Sequence, residues 1–365
     1  MADVRELRLA IAGVGNCASS LLQGLEYYRL NDVDESAGVL HADIAGYRID
    51  DVHPVAAFDV DVRKVGHALE EAVFAPPNCA AVFQQKLPAW GVEVRMGPRL
   101  DGVAAHMADA PEARAFRVAE REAEDVAEVL RETRADVLVC YLPVGSEAAV
   151  AAYAEAALEA GVAFVNCIPV FIASDPDWAE RFRARGVPVV GDDIKSQVGA
   201  TIVHRSLARL LGDRGAKLER TYQLNTGGNT DFLNMMDRER LVSKRISKTE
   251  SVQSQLDERL PDADIHVGPS DYVAWQHDNK VCFVRMEWRG FGDARMDLEL
   301  RLSVEDSPNS AGVAIDAIRC AKLALERGIG GPLEGVSAFT MKHPPRQRRD
   351  WQAREDLEAF IRGAH

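Results

Sequence analysis

Short, uninterrupted apolar runs open the chain and recur through its first half. Leu7-Arg8-Leu9-Ala10-Ile11-Ala12 reads as a buried strand ending at Gly13-Val14-Gly15-Asn16-Cys17-Ala18, and Leu21, Leu22 and Leu25 then fall at helical spacing. Val55–Phe58, closed by Asp59, Asp136–Leu142, Ala163–Cys167 and Val187–Val190 read as further strands, and an alanine-rich helix spans Ser146–Ala160. Apolar strands separated by helices predict a parallel sheet covered on both faces.

The pattern changes after about residue 215. Arg220–Leu224, Val281–Trp288 and Met296–Val304 alternate apolar and polar positions, as strands of a largely antiparallel sheet do. Between them lies a polar, glycine-rich loop, Asn225–Met235, followed by the basic stretch Ser243–Glu250, and Gly268–Asp271 reads as a turn. A long amphipathic helix over Asn309–Arg327 predicts a return to the first sheet, with a last helix over Trp351–Arg362. The fold class is α/β: a Rossmann-like dinucleotide-binding domain (1–200 with 310–365) carrying an inserted α+β domain (201–309).

Composition narrows the partners. Against 43 basic groups stand 57 acidic ones, a net charge of −14, which argues against general nucleic-acid binding. No apolar run is long enough to span a membrane, and Met1–Arg8 lacks the apolar core of a signal peptide. The six cysteines show no CxxC spacing and fit reduced, buried thiols, so a cytoplasmic setting is expected. The nine histidines show no paired metal-ligand spacing.

Two regions carry candidate chemistry. Gly13-Val14-Gly15-Asn16-Cys17-Ala18 fits G-x-G-x-x-G/A: Gly13 for the turn, Gly15 to let a pyrophosphate approach, and a helix N-terminus beyond it. Asp59, at the end of the second strand, is placed to accept from a ribose hydroxyl, the sign of NAD over NADP, although it lies well past the usual ~20-residue spacing. The extra length falls in Tyr27–His53. Asp192, Asp193, Lys195 and Ser196 follow a strand and open a helix, where open α/β folds bind ligands. Lys244 and Lys248 share a helix face if their segment is helical throughout, whereas Ser247 and Glu250 instead form a capping box if the helix starts at Ser247. Lys280, Lys342 and Asp306 complete the set. Converging lysines suit carbonyl and enolate chemistry, because ammonium groups stabilise oxyanions and titrate nearer neutrality when desolvated.

Together these motifs, with Tyr141–Glu147, Gly191–Thr201, Asp306–Val313 and Gly328–Pro332, resemble the inositol-3-phosphate synthases of actinobacterial type nearly end to end. The resemblance implies NAD-dependent, redox-neutral cyclisation of glucose 6-phosphate to inositol 3-phosphate, the committed step of inositol biosynthesis, by a homotetramer assembled through the inserted sheet. It implies Lys280 and Lys244 in proton transfer and oxyanion stabilisation, Lys248 and Lys342 on phosphate or substrate oxygens, and Asp306 orienting a lysine. Gly13, Gly15, Asn16, Cys17, Asp59, Asp192, Ser196 and Asp231 are assigned to the cofactor side. A cation near the cofactor would fall to Asp306 and Ser307. The competing readings are an NAD-linked dehydrogenase that releases NADH and a non-catalytic NAD-binding scaffold.

Overall fold

The computed structural model describes residues 5–31 and 37–364, with the backbone alone at Pro269 and Ser270. Seven parallel strands form the main sheet: β1 (Leu7–Ala12), β2 (Val52–Asp59), β3 (Val94–Met96), β4 (Val137–Cys140), β5 (Ala163–Asn166), β6 (Pro188–Val190) and, late in the chain, Gly331–Pro332. Their order places β1 between β2 and β4, with β3 at one edge and Gly331–Pro332 beyond β6 at the other. Side-chain alternation along β1 divides the core. Leu7, Leu9 and Ile11 enter one apolar layer with Leu21 and Leu22, while Ala10 and Ala12 enter the other with Leu138 and Phe164. Both faces are therefore buried, which is why the strands read as continuous apolar runs.

The helix α1 (Asn16–Leu30) covers the first face, and α2 (Val126–Glu132), α3 (Glu147–Ala160) and α4 (Pro176–Arg185) follow in chain order. The second sheet comprises β7 (Lys217–Gly227), β8 (Ile265–Tyr272), β9 (Asn279–Arg289) and β10 (Arg295–Glu305), in the order β8-β7-β9-β10. The β7–β9 and β9–β10 pairs are antiparallel, as expected, but β8 runs parallel to β7. One face packs on the helix α5 (Ala200–Asp213) through Cys282, Val284, Met286 and Ala208. The chain then re-enters the first layer through α8 (Asp306–Glu326), whose Val313, Ala317, Cys320 and Ala321 join that layer as the helix packs on α1 and across β4, β5 and β6. The helix thus starts three residues earlier than its periodicity predicts.

Two expectations are corrected and one pair of alternatives is decided. Gly268–Asp271 is not a turn but lies within β8; the register shifts between Val267 and Ser270, which absorbs a proline that cannot donate to the ladder. Asn225–Met235 is not an open loop: Asn225–Gly227 finish β7, and α6 (Thr230–Asn234) follows, capped by Asn229 Oδ1, which accepts from Asp231 N (3.1 Å) and Phe232 N (3.2 Å). The helix α7 (Val242–Gln253) runs through Ser247, so no capping box forms there and Lys244 and Lys248 share one face.

Within the Tyr27–His53 segment, residues 32–36 lie outside the described residues. The rest is tied to α8 by Arg319, which is fully buried and donates to the carbonyls of His41 (2.7 Å), Ala42 (3.2 Å) and Tyr47 (3.1 Å) and to Asp316 Oδ1 (2.6 Å). Arg319→Met removes the guanidinium from three carbonyls and from Asp316, which among the described residues keeps only His41 Nδ1 (2.6 Å). It is expected to cost about 3 kcal/mol in unfolding free energy by denaturant titration.

Candidate active site

The connections from β1 and β4 leave in opposite directions, and the crevice between them at the C-terminal edge of the sheet is where open α/β folds bind ligands. A cavity of about 160 Å³ occupies it, bounded by Gly15–Cys17, Tyr141–Val144, Asp193–Ser196 and the lysines Lys244, Lys280 and Lys342. Gly13 takes φ 91°, and a Cβ there would meet the Tyr141 carbonyl oxygen at 2.8 Å. Above Gly15, in contrast, a Cβ would find nothing within 4 Å. That open cradle, at a helix N-terminus with no side-chain cap, fits a dinucleotide pyrophosphate.

Asn16 and Cys17 lie where the motif places them, each with a further partner. Asn16 Oδ1 accepts from Cys79 N (2.6 Å) and Ala80 N (2.9 Å). Burial, with Asp278 and Asp306 nearby, pushes the Cys17 thiol up to about 12, so it stays protonated. Asp59 turns inward: Oδ2 accepts from Val14 N (2.8 Å), and Oδ1 from Val60 N (2.7 Å) and Asp61 N (2.9 Å). Its carboxylate braces the glycine turn.

Lys244, Lys248, Lys280 and Lys342 converge from α7, β9 and the segment after the helix α9 (Glu334–Thr340). Lys244 Nζ donates to Asp231 Oδ2 (3.3 Å), and Asp231 Oδ1 accepts from Val144 N (3.2 Å). Lys280 Nζ lies 3.1 and 3.2 Å from the two oxygens of Asp306. Lys342 Nζ donates to Asp193 Oδ1 (2.8 Å), whose other oxygen accepts from Ser247 Oγ (2.6 Å). Burial opposes the charge on Lys244, but Asp231, Asp193 and Asp306 outweigh it and hold the ammonium above its usual range. Burial likewise works against Asp193 and Asp306, and the lysines prevail and keep both carboxyls below theirs. Lys342 is lowered by burial, with Lys244 and Lys280 adding to the effect against Asp193.

Lys248 differs. It is 4% exposed and has no carboxylate partner among the described residues. Burial, then Lys280, Lys244 and Lys342, drive its pKa well below the usual lysine value. It lines a tight slot with Lys280, Lys342, Ser196, Gln223, Asn225 and Gly199–Ile202 at the N-terminus of α5. In that first turn the N–H groups have no intrahelical acceptor. Asn225 Nδ2 and Gln223 Oε1 are buried without a partner. The first-turn N–H groups and Asn225 Nδ2 are unused donors beside the Lys248 amine, which makes the slot a candidate anion site, while Gln223 Oε1 is an unused acceptor.

Asp192, assigned to the cofactor side, does not reach the cavity. It is fully buried, with Oδ1 accepting from Asn166 Nδ2 (2.8 Å) and Ala173 N (3.1 Å) and Oδ2 from Ile172 N (3.1 Å), Ser174 N (3.0 Å) and Ser174 Oγ (2.8 Å). Burial raises it to about 6 against those donors. The acid that faces the lysines is its neighbour Asp193, because the backbone turns left-handed there (φ 64°). Asp278 carries no assignment from the sequence. Its carboxylate accepts from Asn229 Nδ2 (2.9 Å), Ser307 Oγ (2.8 Å) and Ser307 N (3.0 Å), and burial together with Asp306 raises it to about 6. Ser307 is thereby committed to Asp278 and Asp306 to Lys280. Among the described residues no group of three or more His, Cys, Asp or Glu side chains converges as a metal cage. Ser196 lines both the cavity and the slot.

Fold and site define a class: a Rossmann-type α/β protein whose crevice at the sheet edge, under a glycine turn, is lined by lysines. Residues 199–307 match the family model for myo-inositol-1-phosphate synthase. The chain is 55% identical over 363 residues to the inositol-3-phosphate synthase of Mycolicibacterium smegmatis, covering 98% of each. Its structure resembles that of Ari2 (TM-score 0.79, 36% identity, 99% of both chains). It also resembles a myo-inositol-1-phosphate synthase-related protein of Thermotoga maritima (TM-score 0.81, 26% identity, 98% of both chains). The chain belongs to the inositol-3-phosphate synthase family.

Asp192 and Asp193 are expected to separate cleanly on substitution. Asp192→Asn sets an NH₂ group against the donors of the Ile172–Ser174 turn and should lower unfolding free energy by about 2–3 kcal/mol in a denaturant titration. Asp193→Asn should instead fold normally and lose turnover by about a hundredfold or more, since it releases Lys342 and Ser247.

Proposed function

We propose that the chain converts D-glucose 6-phosphate to 1D-myo-inositol 3-phosphate with NAD in the crevice. The observation that carries this reading is the four-lysine cluster beside the anion slot, at the mouth of a dinucleotide cradle. The substrate phosphate docks at the slot, held by the first-turn N–H groups of α5, Ser196 and Lys248, whose amine takes up a proton as the anion binds. The sugar then lies toward Lys244, Lys280 and Lys342, the lysines that also line the cofactor cavity. NAD, when bound, supplies the hydride acceptor and donor that leave the conversion redox-neutral.

The residues of this chain do the rest. Enolisation and ring closure each build negative charge on a substrate oxygen. Lys280 Nζ and Lys244 Nζ, aligned by Asp306 and Asp231, donate to those oxygens and move the protons. Lys342, set by Asp193, holds a substrate hydroxyl or phosphate oxygen. Asn16, Cys17 and the open edge of Gly15 border the cofactor, and Asp59 acts on it through the glycine turn. A cation at Asp306 would compete with Lys280, and no step here uses one.

In this reading residues 1–200 with 310–365 form the cofactor-binding domain and 201–309 the catalytic and assembly domain. The outer face of the second sheet supports a homotetramer: Leu224 and Phe283, paired across β7 and β9, are 45% and 43% exposed. No helix among the described residues is long and apolar enough to cross a membrane, and the proposed setting is cytoplasmic.

The test is an incubation with glucose 6-phosphate and catalytic NAD, following inositol phosphate by phosphorus NMR and absorbance at 340 nm. Product without net NADH is expected; steady NADH accumulation would make the protein a dehydrogenase. Lys280→Ala should keep fold and NAD binding and lose cyclisation by about 10²–10⁴-fold, and normal turnover in that variant would remove Lys280 from the chemistry.

A further inference from the structure

We infer that Lys64 is a positioning residue for the dinucleotide: from beneath the glycine turn it fixes the Val14–Gly15 peptide so that the Gly15 N–H faces the cavity. The inference rests on the reading of that cavity as the NAD site and adds a residue that carries no motif signal.

Lys64 follows β2 and is fully buried. Its Nζ donates to the Val14 carbonyl (2.7 Å) and to Asn78 Oδ1 (2.9 Å). Asn78 Nδ2 donates to the same carbonyl (3.1 Å) and to that of Val73 (2.9 Å). On the other side of the residue, Val14 N donates to Asp59 Oδ2 (2.8 Å). Both backbone polar groups of the residue between the two glycines are therefore gripped from within the protein. A peptide is planar and trans, so a carbonyl and the N–H that follows it point in opposite directions. With the Val14 carbonyl drawn down onto an ammonium, the Gly15 N–H points up into the space where a Cβ on Gly15 would meet nothing within 4 Å. Among the described residues that N–H has no protein acceptor.

The charge itself is the second part of the argument. Asp59 Oδ2 is 3.9 Å from Lys64 Nζ, beyond hydrogen-bond range, and the other two contacts are neutral oxygens. An ammonium buried in this way is costly, and a methionine of similar length would fill the same volume without that cost. A cation under the turn polarises the peptide above it and favours an anion on the far side. A dinucleotide pyrophosphate is the anion this crevice fits.

The experiment compares wild-type protein with Lys64→Met and Asn78→Ala in the full-length chain. It measures NAD dissociation constants by calorimetry, KM for NAD, kcat at saturating NAD and the melting temperature. Lys64→Met is expected to raise both NAD constants about tenfold. Its kcat at saturating NAD and KM for glucose 6-phosphate should move by less than about twofold. A residue that only fills space would lower the melting temperature and leave the NAD constants in place. Wild-type NAD affinity in folded Lys64→Met would overturn the inference. Should that variant not fold, Asn78→Ala decides, because it removes the second donor to the Val14 carbonyl: a rise of about threefold in KM for NAD supports the role and no change overturns it. Wild-type protein that binds no NAD would contradict the functional reading itself, a separate result from the failure of Lys64 alone.

Discussion

Mutual repulsion among four converging lysines is the constraint around which this crevice is built. Two like charges ~4 Å apart repel by about 4 kcal/mol at an effective dielectric constant of 20, so a buried lysine cluster stands only where carboxylates answer it. Asp231, Asp306 and Asp193 answer Lys244, Lys280 and Lys342. Lys248 is left without a carboxylate and burial draws its charge down, and Asn225 Nδ2 beside it is left an unused donor. The imbalance is local, in a chain of net charge −14. In the proposed reading it favours a phosphate dianion over a neutral sugar, and the bound phosphate restores to Lys248 the charge that burial removes.

The fold supplies the answering charges from distant parts of the chain. Asp193 and Lys342 meet because the segments that carry them pair through their backbones: Asp192 N to His343 O (3.0 Å), His343 N to Asp192 O (3.0 Å), Lys342 N to Asp193 O (2.7 Å) and Lys195 N to Thr340 O (2.8 Å). Asp192, immobilised by five donors, anchors that pairing, so its burial serves the site without touching it. Lys280 is the second residue of β9 and Asp306 starts α8, where the second sheet returns to the first. Asp278, just before β9, secures that return through Ser307. The same economy holds at the nucleotide end, where Asp59 and Lys64 act on a ligand through Val14.

Much of this was legible in the sequence, for identifiable reasons. Strands buried on both faces leave apolar runs, so β1, β2, β4, β5 and β6 announced themselves, and the glycine turn carried its spacing. The lysines were visible as residue types, although only the resemblance gave them roles. The remainder was decided by geometry that spacing does not encode. Strand parity cannot tell Asp192 from Asp193 once the backbone turns left-handed between strand and helix. Gly268–Asp271 has the composition of a turn, yet tertiary pairing with β7 draws it into a strand through a register shift. Asp59 sits where a ribose acceptor belongs, but its oxygens are taken by backbone N–H groups that no motif reports. Lys64 and Asn78 lie in stretches without periodicity or motif, and only their distances to Val14 reveal them.

The central claim, that Lys248 is a buried amine without a carboxylate partner whose charge the substrate phosphate restores, is tested most directly by proton uptake on binding. D-glucitol 6-phosphate carries the phosphate but no aldehyde to cyclise. Its binding would be titrated calorimetrically at mildly alkaline pH in two buffers of different ionisation enthalpy. A group whose pKa is depressed in the free protein and raised by a bound anion takes up a proton, so wild type should show an enthalpy that depends on the buffer and an affinity that falls as pH rises. Lys248→Met should bind more weakly and show no buffer dependence. Equal enthalpies in the two buffers for the wild type, with unchanged affinity in Lys248→Met, would contradict the account.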